Sequence, residues 1–306
     1  FFIPMQVLVS RWFDKRRGVA LSILGTGFSL GGFLLLPLVA LTIDLTDWRG
    51  GFVFSGIVAA AVVMPIALFV LRNRPEDAGT TPDGEPSQGT GTAGGSVAGL
   101  TLAEAMRQPL FWVLSPALML YFFGAIGWTV HIVPFYESRG LSTETAALLL
   151  SVASGAGIFA RLIIGVYADR FARFETPAAA MTGLLVVGMA ALLLDEGWFG
   201  IGVFSVCWIV GTSAGSMAES MTLTRAFGMA HFATILGAVV VIETAGEVLS
   251  PSLAGAIFDD TGSYDLALLM YIGTFTGSTA LMAVASRMRR PVLEISGPLS
   301  SAPVSA

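Results

Sequence analysis

The chain has 306 residues, of which 55% are hydrophobic and only 12% are charged, and its formal net charge is −5. Soluble domains carry about 25% charged residues, so this chain cannot cover a water-exposed surface. Its mean hydropathy of +0.79 indicates an integral membrane protein. The single cysteine, Cys207, and the two histidines exclude a disulfide framework and a multi-ligand zinc site. We predict no metal, no cofactor and no nucleic-acid partner.

A helix needs about 20 apolar residues to cross the hydrocarbon core of a bilayer. Eight stretches of the chain meet this requirement, and each is continuously apolar rather than alternating, which favours helices over barrel strands. The predicted spans are residues 18–43, 50–71, 110–136, 143–166, 177–194, 198–222, 233–257 and 265–286. Residues 1–10 resemble the last turns of a ninth helix. Because the chain begins with Phe in an apolar run, we expect the C-terminal part of a longer protein.

Basic residues are distributed unequally between the loops that join these spans. The loop that begins at residue 11, and every second loop after it, hold most of the 16 Lys and Arg residues. The intervening loops hold only Arg49 and Arg139 and are otherwise acidic. By the positive-inside rule, the basic loops and the C-terminus face the cytoplasm. We expect a monomer that is integral to the lipid bilayer of a bacterial-type inner (plasma) membrane.

Two polar segments divide the chain. Residues 75–96 are rich in Gly, Thr, Pro and acidic residues and cannot bury a core, so we predict a flexible cytoplasmic linker at 73–108. The tail 291–306 is predicted to be a disordered cytoplasmic segment. The remaining parts are a remnant of an N-terminal half at 1–72 and a C-terminal six-helix half at 109–290.

Several motifs carry a family resemblance. They are RWFDKRRGVALSI at the first span, DWRGGF at the second, LRNRPEDAGTTPDG at the linker, FARLIIGVYADRFAR at the end of the fourth, and SPSLAGAIFDDTGSY. In these motifs the chain resembles the major facilitator superfamily, and more narrowly its monocarboxylate porter and oxalate–formate antiporter branch. The resemblance implies an all-α membrane bundle of twelve helices in two halves, of which this chain holds the end of helix 4 and helices 5–12. It also implies a secondary active transporter of a small organic anion, most simply a monocarboxylate, that works by alternating access.

One basic residue, Arg161, lies inside a predicted span. Insertion of an Arg at the membrane centre costs about 2.5–3.5 kcal/mol, so we expect a cavity-facing position with a partner. The resemblance implies that Arg161 binds the substrate carboxylate, and a guanidinium fork suits that geometry. The alternative is a structural ion pair with Glu243 or Glu247.

Glu243 and Glu247 are four residues apart and are predicted to share one face of a helix. Either could be a proton-coupling acid or could balance the charge of Arg161, and the alternative is a purely structural Arg–Glu pair. The oxalate-transporting members of the branch carry a cationic residue near Glu243, so the resemblance disfavours oxalate as the substrate. The branch also places an Asp where this chain has Gly157, and that departure disfavours proton symport by the same relay.

The segment GVYADRFAR resembles the cytoplasmic loop motif of the superfamily and contains Gly165, Asp169, Arg170 and Arg173. In this interpretation, Asp169 pairs with nearby arginines or caps the N-terminal end of a neighbouring helix. Gly165 permits close packing, and the arginines complete a gating latch that breaks as the two halves rock. The alternative is the ordinary positive charge of a cytoplasmic loop.

His131 and Trp128 lie near the predicted outer end of the third span, where they could line a vestibule and contact the substrate. A lone histidine is more often a hydrogen-bonded packing residue, and this alternative stays open. We interpret Glu219 as an interfacial charge near Arg225.

The sequence leaves functions other than anion transport open. The run Gly211–Gly215 matches the G-x-S-x-G nucleophile motif, so an intramembrane serine hydrolase would use Ser213 with His131 or His231 in hydrogen-bond reach. Small residues within an apolar span are better explained by close helix packing. The remaining alternatives are a major facilitator transporter of another small solute and a non-transporting sensor with a transporter fold.

Overall fold

The computed structural model describes residues 2–72, 75, 79–81, 98–213 and 215–291. Across these residues the chain is α-helical, and the one pairing of extended segments is a bridge between Gly99 and Gly228. The helices are α1 (Phe2–Trp12), α2 (Arg17–Leu45), α3 (Trp48–Pro65), α4 (Leu102–Met106), α5 (Pro109–Ser138), α6 (Thr143–Ala168), α7 (Glu175–Leu194), α8 (Trp198–Thr212), α9 (Gly215–Phe227), α10 (Phe232–Thr261) and α11 (Asp265–Arg287). A π-helical turn, Ile66–Val70, extends α3. The predicted all-α class is confirmed.

Seven helical stretches in the described part of the chain are long and apolar enough to cross a membrane. They are Trp48–Phe69, Pro109–Ser138, Thr143–Ala168, Glu175–Leu194, Trp198–Phe227, Phe232–Thr261 and Asp265–Arg287. These stretches coincide with the second to eighth predicted spans. The first predicted span is covered by α2, which has 29 residues, and α1 lies where the end of a ninth helix is predicted. The count of eight full spans plus the end of a ninth stays a prediction.

Several helix ends follow from local side-chain chemistry. Asp47 and Ser142 cap the N-termini of α3 and α6, because their side-chain oxygens accept hydrogen bonds from the amides of Gly50 (2.8 Å) and Thr145 (3.3 Å). Helix α10 ends at Gly262, which adopts a left-handed conformation with φ of 70°. These signals set where α6 begins and where α10 ends, and both helices carry candidate site residues.

Helices α5 to α11, here called the C-terminal helices, pack against one another. Helix α5 packs against α10 and α11, and α7 packs against α8 and α11. Serine side chains join them: Ser250 of α10 donates to the carbonyl oxygen of Phe123 (2.5 Å), and Ser278 of α11 donates to that of Ala117 (2.7 Å). Such contacts and close backbone approach hold helices together in lipid, where burial of apolar surface gives little driving force.

Helices α1, α2 and α3, here called the N-terminal helices, reach the C-terminal helices through α1 and α2. Helix α1 packs against α10, and α2 packs against α6 and α9. Helix α3 packs against α2 and exposes large apolar side chains such as Phe52, which is 74% exposed. A helix that is apolar on its exposed side is expected where lipid covers the surface. The interface between the two groups is therefore formed by α1 and α2 on one side and by α6, α9 and α10 on the other.

Most of the predicted linker, 73–108, and nearly all of the predicted tail, 291–306, lie outside the described residues. The C-terminal end of the linker is described and includes α4, which begins with a capping box. The amide of Leu100 donates to the carbonyl oxygen of Phe227 (2.8 Å), so this end of the linker docks beside the end of α9.

Candidate functional site

The N-terminal and C-terminal helices meet where α2 begins and α6 ends. The carboxylate of Asp169, the C-cap residue of α6, accepts a hydrogen bond from the amide of Gly18 (2.9 Å), and the neighbouring amide of Val19 also stabilises its charged form. The first amides of a helix have no partner within that helix, and Arg16, the N-cap residue of α2, has no side-chain acceptor. Asp169 therefore supplies from α6 the cap that α2 does not carry itself. We call this arrangement the α2–α6 contact.

Gly165 and Gly18 allow the backbones of α6 and α2 to approach each other. A Cβ atom on Gly165 would lie 2.7 Å from the Cβ of Ser22 and 3.0 Å from the carbonyl oxygen of Gly18. A Cβ atom on Gly18 would lie 2.9 Å from the Cβ of Ala168. Because atoms do not pack this closely, a larger residue at either position would push the two helices apart.

The electrostatics of Asp169 are dominated by burial. Removal of water raises the pKa of the Asp169 carboxyl above its ordinary value. The amide hydrogen bonds and the positive charges of Arg225 and Arg17 act on this pKa in the opposite direction and are smaller effects. The packed carboxyl thus binds a proton more tightly than an exposed aspartate does. Its main contribution to the α2–α6 contact is an acceptor atom for the amides of α2.

The structure places the two arginines of the GVYADRFAR segment among the C-terminal helices. Arg173 Nη1 donates to the carbonyl oxygens of Ser286 (2.6 Å) and Met288 (2.8 Å) at the end of α11. The guanidinium of Arg170 lies over the ring of Tyr167, 4.8 Å from its centroid. The residues of the predicted latch therefore contact different helices. Asp169 and Gly165 contact α2, whereas Arg173 donates to the last carbonyl groups of α11.

Arg161 lies about 12 Å along α6 from the α2–α6 contact, given a rise of about 1.5 Å per residue. Its Nε donates to the carbonyl oxygen of Ser213 (2.9 Å), and its Nη1 donates to the carbonyl oxygen of Gly25 on α2 (2.8 Å). Ser213 is the C-cap residue that follows the end of α8 at Thr212, and the last carbonyl groups of a helix are available to partners outside it. Two of the acceptors that hold the guanidinium are therefore neutral carbonyl oxygens, one from each group of helices.

Tyr121 of α5 is a site residue that the sequence analysis missed. It is close enough to Arg161 to interact with it electrostatically, and its side chain is 6% exposed. Its hydroxyl donates to the carbonyl oxygen of Gly211 (3.3 Å). The sequence did contain a signal for Tyr121, because its hydroxyl lies in the middle of an apolar span and a buried hydroxyl needs a hydrogen-bond partner. Arg161, Tyr121 and the carbonyl group of Ser213 at the end of α8 together form the candidate substrate site.

Buried glutamates form a second polar cluster, between α9, α10 and α1. The carboxyl groups of Glu243 and Glu219 are in hydrogen-bond contact, and the two residues are 3% and 4% exposed. Gln6 of α1 donates from Nε2 to Glu219 Oε2 (3.3 Å). Glu247, one turn from Glu243, is half-buried. The contact of Glu243 is therefore with another acid, where the sequence left open an ion pair with Arg161.

The structure corrects the interpretation of Glu219 as an interfacial charge near Arg225. Glu219 is enclosed between helices, and Arg225 donates to the carbonyl oxygen of Phe171. The sequence contained the signal, because Glu219 lies inside the predicted span 198–222, and an acid within the membrane is a candidate functional residue.

His131 and Trp128 make packing contacts between α5, α10 and α11. His131 Nε2 is 2.9 Å from the carbonyl oxygen of Pro251, and Nδ1 is 3.2 Å from the hydroxyl of Tyr264. In this arrangement Nε2–H donates to the carbonyl and Nδ1 accepts from the hydroxyl. Trp128 is fully buried among aromatic rings. Burial therefore removes both side chains from the vestibule that the sequence predicted, and the structure does not bring them together with Arg161.

The nucleophile motif around Ser213 does not form a hydrolase site. Ser213 Oγ donates to the carbonyl oxygen of Gly157 (3.2 Å), His131 is bonded to Pro251, and His231 is the N-cap residue of α10. A catalytic serine needs a base within hydrogen-bond reach. Among the residues that the structure describes, no group of three His, Cys, Asp or Glu side chains could hold a metal ion.

Comparison with known proteins gives the family. The model of the family described as Major Facilitator Superfamily matches residues 1–251 of the chain. The chain belongs to the Major Facilitator Superfamily. The membership that the GVYADRFAR and RWFDKRRG motifs predicted is thereby confirmed.

This major facilitator chain is similar to monocarboxylate transporter 11 of Homo sapiens, with 28% identity over 88% of the chain and 56% of that protein. It is similar to monocarboxylate transporter 12 of Xenopus laevis, with 26% identity over 94% of the chain and 66% of that protein. It is also similar to the oxalate:formate antiporter of Oxalobacter formigenes, with 25% identity over 92% of the chain and 65% of that protein. These relatives confirm the predicted branch, and the chain spans between just over half and two thirds of their length.

The fold is similar to the crystal structure of the Major Facilitator Superfamily transporter FucP in the outward conformation. The TM-score is 0.67, over 92% of this chain and 72% of that chain. The two sequences are 12% identical, so the likeness shows the fold alone.

Proposed function

We propose that this major facilitator chain is part of a secondary active transporter that carries a small organic anion, most simply a monocarboxylate, by alternating access. The observation that carries the proposal is the position of Arg161 on an apolar helix, where its guanidinium bonds to one carbonyl oxygen from each group of helices. A charge at that depth is costly and marks function by default. The names of the relatives, monocarboxylate transporters and an oxalate:formate antiporter, support an anionic substrate.

The chemistry around Arg161 suits a carboxylate. A carboxylate accepts two parallel charge-assisted hydrogen bonds from a guanidinium and is a stronger partner than the neutral oxygens of Gly25 and Ser213. A substrate that displaced the oxygen of Gly25 would remove one contact between α2 and α6. Since a ligand shifts an equilibrium toward the state that it binds more tightly, substrate binding would favour separation of the two groups of helices.

The α2–α6 contact acts in this proposal as the latch of the transport cycle. Gly165 and Asp169 hold α2 against α6, while Arg170 and Arg173 fix the loop that carries Asp169. Opening would withdraw Asp169 from the amides of α2. Packed helix interfaces switch between discrete arrangements, so one capped and one uncapped state can serve the two access directions.

A proton is the coupling ion in this proposal, and Glu243 and Glu247 are its candidate carriers. The alternative role for both acids is to balance the charge of Arg161 during transport. Proton symport through an acid one turn before Arg161 is not proposed, because Gly157 has no side chain at that position.

We propose a topology of eight full spans, made of α2, α3, α5, α6, α7, α8 with α9, α10 and α11, with α1 as the end of a ninth. The basic loops and the C-terminus face the cytoplasm of a bacterial-type inner membrane, and the protein is a monomer. A membrane-impermeant thiol reagent added to intact cells should label Asp260→Cys and spare Arg107→Cys. The reverse pattern would refute this orientation.

Uptake of labelled anions by the full-length protein in proteoliposomes tests the function. We expect saturable uptake of small monocarboxylates that compete with one another, and loss of that uptake in Arg161→Gln. A second candidate, transport of another small solute, is favoured by the two backbone bonds that already hold Arg161. Uptake of a neutral solute with no uptake of any carboxylate would select that candidate.

A further inference from the structure

Glu219 and Glu243 form a contact between two buried carboxyl groups on adjacent helices. Both residues are more than nine-tenths buried, at 4% and 3% exposed. One oxygen of each group, Oε1, is buried and has no hydrogen-bond donor among the residues that the structure describes. Two buried carboxylate oxygens without a donor need a hydrogen atom from elsewhere.

Electrostatics identify that hydrogen as a proton shared by the pair. Two carboxylates at hydrogen-bond distance repel each other strongly in a poorly solvated site, so both cannot be ionised together. One proton between them replaces the repulsion by an O–H···O⁻ hydrogen bond, which is among the strong hydrogen bonds of proteins. The pair then carries a single negative charge.

The groups that face the pair provide no other compensating charge. On the same helix, Glu247 adds a further negative charge close by. Helix α1 contributes the neutral amide of Gln6, and α5 packs one turn away with Met119 and Phe123. Within the described residues, the charges that act on the pair are all carboxyl groups. A proton is therefore the cation that suits this cluster.

The pair also lies at the interface between the two groups of helices. Gln6 Nε2, on an N-terminal helix, donates to Glu219 Oε2 at 3.3 Å. Loss of the shared proton would leave two negative charges in a closed site, which is costly until water enters. Separation of α1 from α9 and α10 would remove the Gln6 contact and open the pair to water.

We propose that Glu219 and Glu243 form one proton-binding site, which is loaded while α1 packs against α9 and α10 and releases its proton when α1 separates from them. Loading forms one O–H bond to a carboxylate oxygen, and release transfers that proton to water, so no other reactant is needed. The use of this proton in transport rests on the proposed function. Binding of the proton by Glu219 and Glu243 does not depend on the proposed function.

Infrared spectroscopy of the purified full chain, reconstituted in lipid at neutral pH, tests the site without any transport measurement. A protonated carboxyl group gives a carbonyl stretch that is separate from the bands of carboxylates. We expect one such band in the wild type and its loss in both Glu219→Gln and Glu243→Gln, because the new amide donates to the remaining carboxylate and keeps it ionised. Glu144→Gln, at an exposed glutamate in the first turn of α6, is the control and should keep the band.

A wild-type spectrum without a protonated carboxyl at neutral pH would overturn the proposal, and so would loss of the band in Glu144→Gln. Glutamine is close to isosteric with glutamate, and thermal unfolding verifies that each variant is folded. If either Glu219→Gln or Glu243→Gln fails to fold, the infrared spectrum of the other variant tests the proposal. A band that behaves as expected, in a protein that takes up no carboxylate, supports the proton site and contradicts only the proposed function.

Discussion

The carboxylate of Asp169 at the end of α6 accepts a hydrogen bond from the amide of Gly18 at the start of α2, with 2.9 Å between oxygen and nitrogen. This bond joins the N-terminal and C-terminal helices through amides that have no partner in their own helix. Burial raises the pKa of Asp169, so the contact depends on an acceptor atom more than on a full charge. Removal of the acceptor and removal of the charge should therefore have different effects.

Asp169→Ala should open the α2–α6 contact, whereas Asp169→Asn should leave it largely closed. Alanine removes the acceptor for the first amides of α2, and loss of a helix cap costs about 1 kcal/mol, or about a fivefold larger open population. Asparagine keeps an oxygen that accepts the same bonds. Spin labels at Lys15 and Arg289, in a Cys207→Ser background, report the separation of the two groups of helices. Equal opening in both variants would show that the charge closes the contact.

Acidification should favour the closed α2–α6 contact. The pKa of Asp169 is raised while it is packed, so the packed state binds the proton more tightly than a state in which the carboxyl meets water. The stabilisation of the closed contact by this proton is complete below the ordinary pKa of an aspartate. It is lost as the pH rises through the raised pKa of packed Asp169. Distances between the same spin labels should shorten as the pH falls from neutral, with a smaller change in Asp169→Asn. Lengthening on acidification would contradict the sign of this effect.

Gly165→Ala should force α2 and α6 apart. The new Cβ would lie 2.7 Å from the Cβ of Ser22, and overpacking of this kind costs about 1–3 kcal/mol, so the open population should grow by about fivefold or more. Ser22→Gly in the same protein should restore part of the closure, because it removes the opposing Cβ. Gly155→Ala on the same helix is the matched control, since nothing lies within 4 Å of its Cβ. Opening by the control as well would point to a general effect on α6.

Arg161→Lys should lower carboxylate uptake by about tenfold or more, although the charge is kept. A lysine cannot reproduce two parallel hydrogen bonds to a carboxylate, and each bond to a charged group contributes about 1.5–3 kcal/mol. Arg49→Lys, at an exposed arginine near the start of α3, is the control and should retain uptake. Near-normal uptake by Arg161→Lys would defeat the binding role. Rescue of Arg161→Gln by Glu243→Gln would assign the arginine to a structural ion pair.

The helices were predictable because their signal is local. A continuous apolar stretch predicted a span at 143–166, and α6 runs from Thr143 to Ala168. The acid at the end of that helix was also predictable as a cap for a neighbouring helix, because the GVYADRFAR segment places Asp169 at a helix–loop junction. The sequence could not predict which amides Asp169 caps, because it does not show that α2 is the neighbouring helix.

Contacts between distant helices could not be predicted. The pairing of Glu219 with Glu243 depends on which faces of α9 and α10 meet, and helical spacing fixes faces only within one helix. The end of α8 before Ser213 was hidden because small and apolar residues continue past it within the predicted span 198–222. The partners of His131 are a carbonyl oxygen and a distant tyrosine, neither of which leaves a local pattern.

The position of Ser213 at the end of α8 bears on the kinetics of the proposed transporter. The carbonyl oxygen of Ser213 holds Arg161 Nε at 2.9 Å, so the guanidinium keeps a hydrogen-bond partner after an anion departs. A donor that is re-paired on dissociation avoids the penalty of being buried and unsatisfied. The same oxygen competes with the anion on arrival. Such a transporter should bind its substrate weakly and release it fast, so that a lower affinity accompanies a faster turnover.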